Sequence, residues 1–553
     1  MAPDPTIVAR LGPAAVLSSG SKTQYRAVAS GPGEGRLVRC ELAERPAGRS
    51  GQGASRRRSL LYLAQVSDLQ LADLSSPGRF EFLEELRGRP GTESFVPAQR
   101  PQEALCAHAV DAMARRIASL GESTDTGASL RLAISTGDNI DNAQWNELCW
   151  YLALIGGGAV DPGGGHLGSG VQQTGWPGEL YWKPDGGPDL WRSLFGYPEV
   201  PGLLGEAAGR FEASGVGVEW LSCFGNHDGL PFGEAVPTAA YKVVVVGGHK
   251  AISLPDGVDP LSLEESFFER PELFCGGPGR AVAPDPGRRI VGRREFVAAH
   301  LAARGLPRGH GFSEANLAAG TAYGSHDVAG PSGAPGVRVV ILDTTNLDGW
   351  HRGSLGARQL AWLEEELASC HSRYMAPDGS GLVSTPNDDS LVVLASHHGL
   401  STMTNLRQLP GGLEADHPRV DAGAVAALLA RFPNVVCWIN GHRHLNEIVP
   451  RPSDAVAGTG YWEVSTASIA DWPSQGRLVE LVDNCDGTLS LLTAMIDHAG
   501  PADPRAAGGL DRLAALHREL AANVPGAGFG SFLEGTPADR NCELVVGAPF
   551  DLG

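Results

Sequence analysis

Nowhere in the chain do apolar residues run for the roughly 20 positions that a membrane-spanning helix needs, which excludes an integral membrane helix. Paired cysteines are also lacking. The nine present (Cys40, Cys106, Cys149, Cys223, Cys275, Cys370, Cys437, Cys485 and Cys542) are odd in number and scattered, with no CxxC spacing. This argues against a disulfide framework and for reduced thiols in a cytoplasmic protein. The opening stretch MAPDPTIVARLGPAAVLSSG has no basic segment followed by a sustained apolar run. The run SRRRSLLYLAQ (Ser55–Gln65) lies too deep for a twin-arginine signal and reads as the basic flank of a first core strand. Positive charge is scarce: 44 Lys and Arg stand against 63 Asp and Glu, a formal charge of −19. That excludes general attraction to nucleic acid or to an anionic membrane. No internal repeat is present, and composition leaves the oligomeric state open.

What is there is enough for a large core: 553 residues, 42% of them hydrophobic. Residues 1–59, rich in Gly, Ser and Arg, read as an N-terminal extension, 60–500 as the main domain and 501–553 as a C-terminal extension with a helix starting near Leu510. Short apolar runs predict strands at Leu60–Asp68, Leu130–Asp138, Val218–Phe224, Val337–Thr345, Ser390–Ser396 and Asn434–Asn440. GYWEVSTAS predicts one later strand, and RLVELVDNCDGTLSLLTAMI two more joined at Asp486-Gly487. Helical patterns lie at RPQEALCAHAVDAMARRIASL, ARQLAWLEEELAS and DAGAVAALLARF. Strand, helix, strand in alternation predicts an α/β fold with parallel crossovers. Two segments, about 156–217 and 229–336, exceed normal loop lengths and read as insertions.

Polar residues gather where these strands end. Asp68 and Gln70 follow the first, Asp138 and Asp141 the second, and Asn226, His227 and Asp228 the third. His397 and His398 follow LVVLAS, and His442 and His444 follow VVCWIN. In open α/β sheets the binding crevice lies beyond the carboxyl ends of the strands, so the five groups are expected on one rim. Carboxylate, amide oxygen and imidazole are ligand types for Mn, Fe, Zn and Mg. On extended backbone, i, i+2 pairs such as Asp68/Gln70 and His442/His444 aim to one side. Gly137, Gly225 and Gly441 each precede an expected ligand and leave room there. Two divalent ions against Asp68 and Asp138 would leave net positive charge, so an acidic protein could hold a phosphoester.

The ordered series SDLQ, GDNIDN, GNHD, SHHG, GHRH resembles the calcineurin-like metallophosphoesterase superfamily, with its DxH, GDxxD, GNHD/E, strand-end His and GHxH blocks. LDTTNLDGWHRGSLGARQLAWLEEEL is similar to its phosphodiesterase-like and purple-acid-phosphatase-like branches. GYPEVPGLLGEAAGRF and NELCWYLALIGGG are similar to an actinobacterial subfamily of predicted metallophosphoesterases. The resemblance covers roughly Leu60 to His498. It implies a four-layer α/β/β/α sandwich of two mixed sheets with long insertions, and a small-molecule phosphoester substrate. It implies one metal at Asp68, Gln70, Asp138 and His444, and a second bridged by Asp138 and bound by Asn226, His397 and His442. His227 would assist the leaving group of an attack by metal-bound hydroxide, and Asp141 would orient His227. From its place beside His397, His398 is expected either to touch substrate or to pack. The phosphodiesterase-like helix tilts the substrate towards a diester or nucleotide-like ester over a monoester.

Gln70 departs from the superfamily pattern, which has His there. An amide oxygen donates more weakly than imidazole, which favours Mn or Mg over Zn at the first position. It also leaves a non-catalytic phospholigand-binding member as the alternative. A protein phosphatase of the same superfamily would carry Arg where this chain has Asn142.

Overall fold

Along the strand Arg58–Val66 the side chains divide between two cores: Leu61 and Leu63 enter one, Tyr62, Ala64 and Val66 the other. Leu391–Ala395 divides the same way, Leu391, Val393 and Ala395 joining Leu61 and Leu63 while Val392 and Leu394 enter a third core. A period of two with both faces buried is what a strand between two layers imposes. Two sheets therefore share one central core, and each has an outer face covered by other elements.

A computed structural model describes residues 5–43, 57–89, 96–164, 170–257, 263–331 and 333–552. Along the chain the strands of the two sheets are β1 (Leu37–Arg39), β2 (Arg58–Val66), β3 (Leu132–Ser135), β4 (Glu219–Ser222), β5 (Gly324–Val328), β6 (Val337–Ile341), β7 (Leu391–Ala395), β8 (Val435–Asn440), β9 (Glu447–Pro452), β10 (Gly460–Ser465), β11 (Gln475–Asp483), β12 (Thr488–Asp497) and β13 (Cys542–Gly547). The first sheet has the order β1-β13-β12-β11-β2-β3-β4 and the second β5-β6-β7-β8-β10-β9. β2, β3 and β4 run parallel, as do β6, β7, β8 and β10, while β11 and β12 pair antiparallel beside β2. Both sheets are mixed.

Helices α1 (Cys106–Ala118), α2 (Trp145–Gly156) and α3 (Arg293–Ala302) bury residues such as Val110, Tyr151 and Phe296 against the outer face of the first sheet. On the second sheet, α4 (Ala357–Ser369) and α5 (Ala422–Leu429) do the same through Leu363, Leu367 and Val425. The architecture is a four-layer α/β/β/α sandwich with long insertions. Among the described residues no helix is long and apolar enough to cross a membrane, and the nine cysteines are unpaired.

The terminal segments are built into this frame. Residues 501–553, read above as an extension, supply helix α6 (Gly509–Ala522) and strand β13, which pairs with β12 inside the first sheet. Within 1–59, a hairpin of Ala9–Ser19 and Gln24–Pro32 packs on α6, where Asn523 Nδ2 donates to the Arg26 carbonyl at 2.9 Å. The basic flank residues Ser55 and Arg56, and 165–169 and 258–262 of the two insertions, lie outside the described residues. In the second insertion Phe232, Tyr241, Phe267 and Phe274 cluster around Phe80, which anchors that segment beside the rim.

Candidate metal centre

The loops leaving β2 and β3 run side by side. Asp68 N–H donates to the Gly137 carbonyl at 3.1 Å and Gln70 N–H to the Asp138 carbonyl at 3.0 Å, which sets the three polar side chains together. The loop after β4 is stapled onto them by Asp228. Its carboxylate accepts the N–H groups of Asn139 (3.0 Å), Ile140 (3.2 Å) and Gly225 (2.8 Å) and the amide of Asn139 (3.0 Å), so its role is to hold two loops in register. The second sheet joins from the other side. His397 Nδ1 donates to the Thr136 carbonyl at 2.9 Å, and the His442 N–H donates to Asp68 Oδ2 at 3.0 Å. All five strand-end groups meet on one rim.

The backbone at these positions is unusual. Asp68, Gln70, Asp138, His442 and His444 have φ between 42° and 69°, the left-handed region, so the i, i+2 pairs stand on turns and not on extended chain. Each such residue costs on the order of 1–2 kcal/mol. Five of the eleven described non-glycine residues with positive φ are expected metal ligands, which ties the strain to the site. Glycine is required where the loops touch: a Cβ on Gly225 would lie 2.3 Å from Asp138 Oδ1, and one on Gly441 1.8 Å from Ser67 Oγ.

The donor atoms converge without satisfying one another. His444 Nε2 is 3.3 Å from Asp68 Oδ1, and His397 Nε2 is 3.0 Å from Asp138 Oδ2 and 4.0 Å from Asp68 Oδ1. Asp68 Oδ1, Gln70 Oε1, Asn226 Oδ1 and His397 Nε2 are buried with no hydrogen bond among the described residues. A buried polar atom left so costs about 1–3 kcal/mol. Four in one place are a ligand set in want of cations. Asp68, Asp138 and His397 each offer a ligand atom within 4.8 Å of the others, as do His397, His398 and His442.

The tautomers and the local field agree. His397 gives its Nδ1 proton to a carbonyl and His444 gives its own to Asp471 Oδ2 at 2.6 Å, so in each ring Nε2 is the atom that faces the carboxylates, and a metal ion there would take the place of its proton. Burial alone would push the His397 pKa down, yet Asp138 beside it outweighs this and raises it to about 9. Burial likewise opposes a proton on His444, but Asp68 and Asp471 lift it to about 10. His442 is held well below its usual range by burial and by His398 and His397. Positive charge is thus favoured between Asp68 and Asp138. These residues fit a pair of divalent metal ions.

His227, with its side chain 18% exposed, stands at the edge of this group. Its N–H donates to Asp138 Oδ1 and its Nδ1 to the Asp141 backbone carbonyl, both at 2.8 Å. The Asp141 carboxylate is 3.6 Å from that nitrogen and is bound instead by Arg79 at 2.5 Å and the Asn142 amide at 3.0 Å. His398 is fully buried, with Nδ1 on Thr344 Oγ1 and Nε2 on the His351 carbonyl, both at 2.8 Å; its nitrogens are engaged with the protein and it does not line the cleft. Asn142 is a structural staple, accepting the Phe232 N–H at 2.9 Å. Trp176 and Trp182 are buried.

Above the donors lies a cleft of about 550 Å³, lined by Gln70, Asp138, Asn226, His227, His442 and His444 among others. It also presents residues the sequence reading did not single out: Arg87, Arg100, His351, Arg352, Asp471 and two aromatics, Trp191 and Phe532. Asp471 was findable, since it follows β10, a strand parallel to β8 whose carboxyl end must reach the same rim. Arg352 and Phe532 had no such signal, because loops without periodicity deliver them.

No protein-family model and no curated protein matches the chain. Among solved structures, a dimetal phosphatase from Danio rerio is similar at 12% identity with a TM-score of 0.34, covering 80% of this chain and 99% of that one.

Proposed function

We propose that this protein is a hydrolase of phosphate esters that works with two divalent metal ions, and that it belongs to the calcineurin-like metallophosphoesterase superfamily. The observation that carries the reading is the set of unsatisfied donors of Asp68, Gln70, Asn226 and His397, brought together by three separate loops. Asp68, Gln70, Asp138 and His444 would hold one ion, and Asp138, Asn226, His397 and His442 the other. When bound, such ions polarise a phosphoryl oxygen and lower the pKa of a water molecule. Mn is favoured because Gln70 and Asn226 offer amide oxygens, hard and neutral donors, beside the imidazoles.

The chain's own groups supply the rest. Arg352 and His227 line the cleft, and Arg352 has no carboxylate partner among the described residues, which suits it to a substrate phosphate oxygen. With the Asp141 carbonyl holding its Nδ1 proton, a protonated His227 has Nε2 left to donate to the departing oxygen. Arg79, bound to Asp141, Glu81 and Glu103 in one buried cluster, keeps the loop that bears this carbonyl in place. A diester or nucleotide-like ester is proposed over a monoester on the phosphodiesterase-like wording of the α4 segment, and the actinobacterial subfamily on wording alone. The test is multiple-turnover hydrolysis of p-nitrophenyl phosphate and bis-p-nitrophenyl phosphate with added Mn. The expected result is turnover that His227→Ala abolishes while metal content persists; no turnover of either ester with both sites filled would turn the reading to a binding protein.

A further inference from the structure

The cleft has a lining of two unlike kinds of residue. Beside polar and cationic groups such as Arg87, Arg100 and Arg352, it includes the apolar residues Trp191, Val524, Ala527, Phe532, Leu533 and Leu445. Phe532 is 71% exposed, the second most exposed of the described large hydrophobic residues, and it lines the same cleft as the expected metal ligands. A lone exposed Phe on an open surface would mean little. Here it is held in place.

The C-terminal segment that carries Phe532 is tied to the loop that bears His444 and to the loop whose Asp471 holds that ring. Asn446, two residues beyond His444, donates its N–H to the Leu533 carbonyl at 3.0 Å. Trp472, next to Asp471, donates its indole N–H to Glu534 Oε1 at 2.7 Å, and its ring stands 4.8 Å from that of Phe529. Glu534 Oε1 also accepts the Gly530 N–H at 2.9 Å, closing the loop that presents Phe532. Trp191 comes from the first insertion and is fixed independently. Its indole donates to the Leu180 carbonyl at 2.8 Å, and it packs edge-on against Tyr197 at 5.0 Å, whose hydroxyl donates to the Leu520 carbonyl of α6. Two aromatic residues from separate segments thus line one proposed phosphate site, Trp191 held by its own side chain and Phe532 by the backbone around it.

We infer that this apolar wall is a subsite for a flat aromatic ring carried on the substrate phosphate, and that Phe532 and Trp191 select aromatic esters over small alkyl ones. The inference rests on the phosphoester reading and adds the class of organic group. A flat ring matches it because aromatic side chains gain from stacked and edge contacts beyond the area they bury. A ring carried on anchored backbone has only its own side-chain torsions left to lose when it is covered.

The test is equilibrium binding, free of leaving-group reactivity. Calorimetry on the Mn-loaded full chain compares phenylphosphonate with methylphosphonate, and the methylene phosphonate analogues of adenosine 5′-monophosphate and of ribose 5-phosphate, in wild type and Phe532→Ala. At this exposure the substitution spares the core. The expected result is a phenyl preference of about tenfold, falling to less than about threefold in the variant with methylphosphonate affinity unchanged. A like preference in the nucleotide pair would assign the ring as a nucleobase; preference in the phenyl pair alone would assign a simple aryl group. Equal binding of phenyl and methyl phosphonates, or a ratio untouched by Phe532→Ala, overturns the aromatic subsite and leaves the phosphate site standing. If neither phosphonate nor inorganic phosphate binds, the phosphoester reading falls and this inference with it.

Discussion

Asp471 accepts the Nδ1 proton of His444 at 2.6 Å, and the far side of the same ring points Nε2 at Asp68 Oδ1, 3.3 Å away. Arg100 holds Asp471 in turn at 2.9 Å, and although burial opposes its charge, Arg100 and His444 keep Asp471 well below the usual carboxylate range. Carboxylate, imidazole and metal position stand in line, an arrangement in which the outer group fixes the ring and strengthens its donor nitrogen. Asp471→Ala is therefore expected to weaken Mn binding at the first position by roughly 10–100-fold. Calorimetric titration of metal-free protein checks this, and unchanged affinity for both ions would count against it.

Gln70 is the point where this chain departs from the superfamily pattern, and its Oε1 is buried without a partner. Replacing a weak amide donor by imidazole strengthens the site and favours Zn more than Mn. Gln70→His is expected to raise metal affinity at one site and leave the other unaltered, as seen in the same titration. Affinity unchanged at both would mean that Gln70 is not a ligand.

Arg352 reaches the cleft with its guanidinium 6.0 Å from the Trp350 ring and no ion pair among the described residues. A charge-assisted contact to phosphate is worth about 1.5–3 kcal/mol, so Arg352→Ala should raise KM by at least roughly tenfold. Its stability and metal content should stay at wild-type values. A fall in kcat alone would place Arg352 away from ground-state binding.

The loop after β7 is fastened to helix α3 by charge. Glu414 Oε2 lies 3.0 Å from Arg293 and 3.5 Å from Arg419, with Glu414 and Arg419 buried and Arg293 partly so. Burial raises the Glu414 pKa, but the two arginines overcome it and bring the group to about 2. The unfolded value is about 4.3. Because the folded pKa is the lower one, the contribution, on the order of 3 kcal/mol, is present above about pH 4.3 and lost as pH falls towards 2. Urea unfolding at pH 6 and pH 3 should show that loss, and Glu414→Gln should be weaker at pH 6 while losing less on acidification. Equal acid sensitivity in both proteins would contradict the assignment.

Much of this was legible from the residues. Both-face burial made β2 and β7 continuous apolar runs, and α4 spans Ala357–Ser369 as its periodic apolar face predicts. The proposed metal ligands were visible because each follows a buried strand, where polar side chains have no use in a core. The geometry of the pairs was not: positive φ at Asp68, Gln70, His442 and His444 is imposed by contacts between loops, which no local propensity encodes. Neither was the placement of the ends. β13 is a short run, Cys542–Gly547, whose identity as a core strand comes from pairing with β12, and Phe532 gains its setting only from the bonds that tie Leu533 and Glu534 to Asn446 and Trp472.

The central claim, that two metal ions held by these residues hydrolyse a phosphate ester, is tested most directly by following bis-p-nitrophenyl phosphate turnover as Mn is titrated into metal-free protein. The account predicts activity that rises to a break at about two equivalents per chain, consistent with a two-ion centre. Absence of turnover at any Mn level, or saturation at one equivalent with the second site shown to be empty, would contradict it.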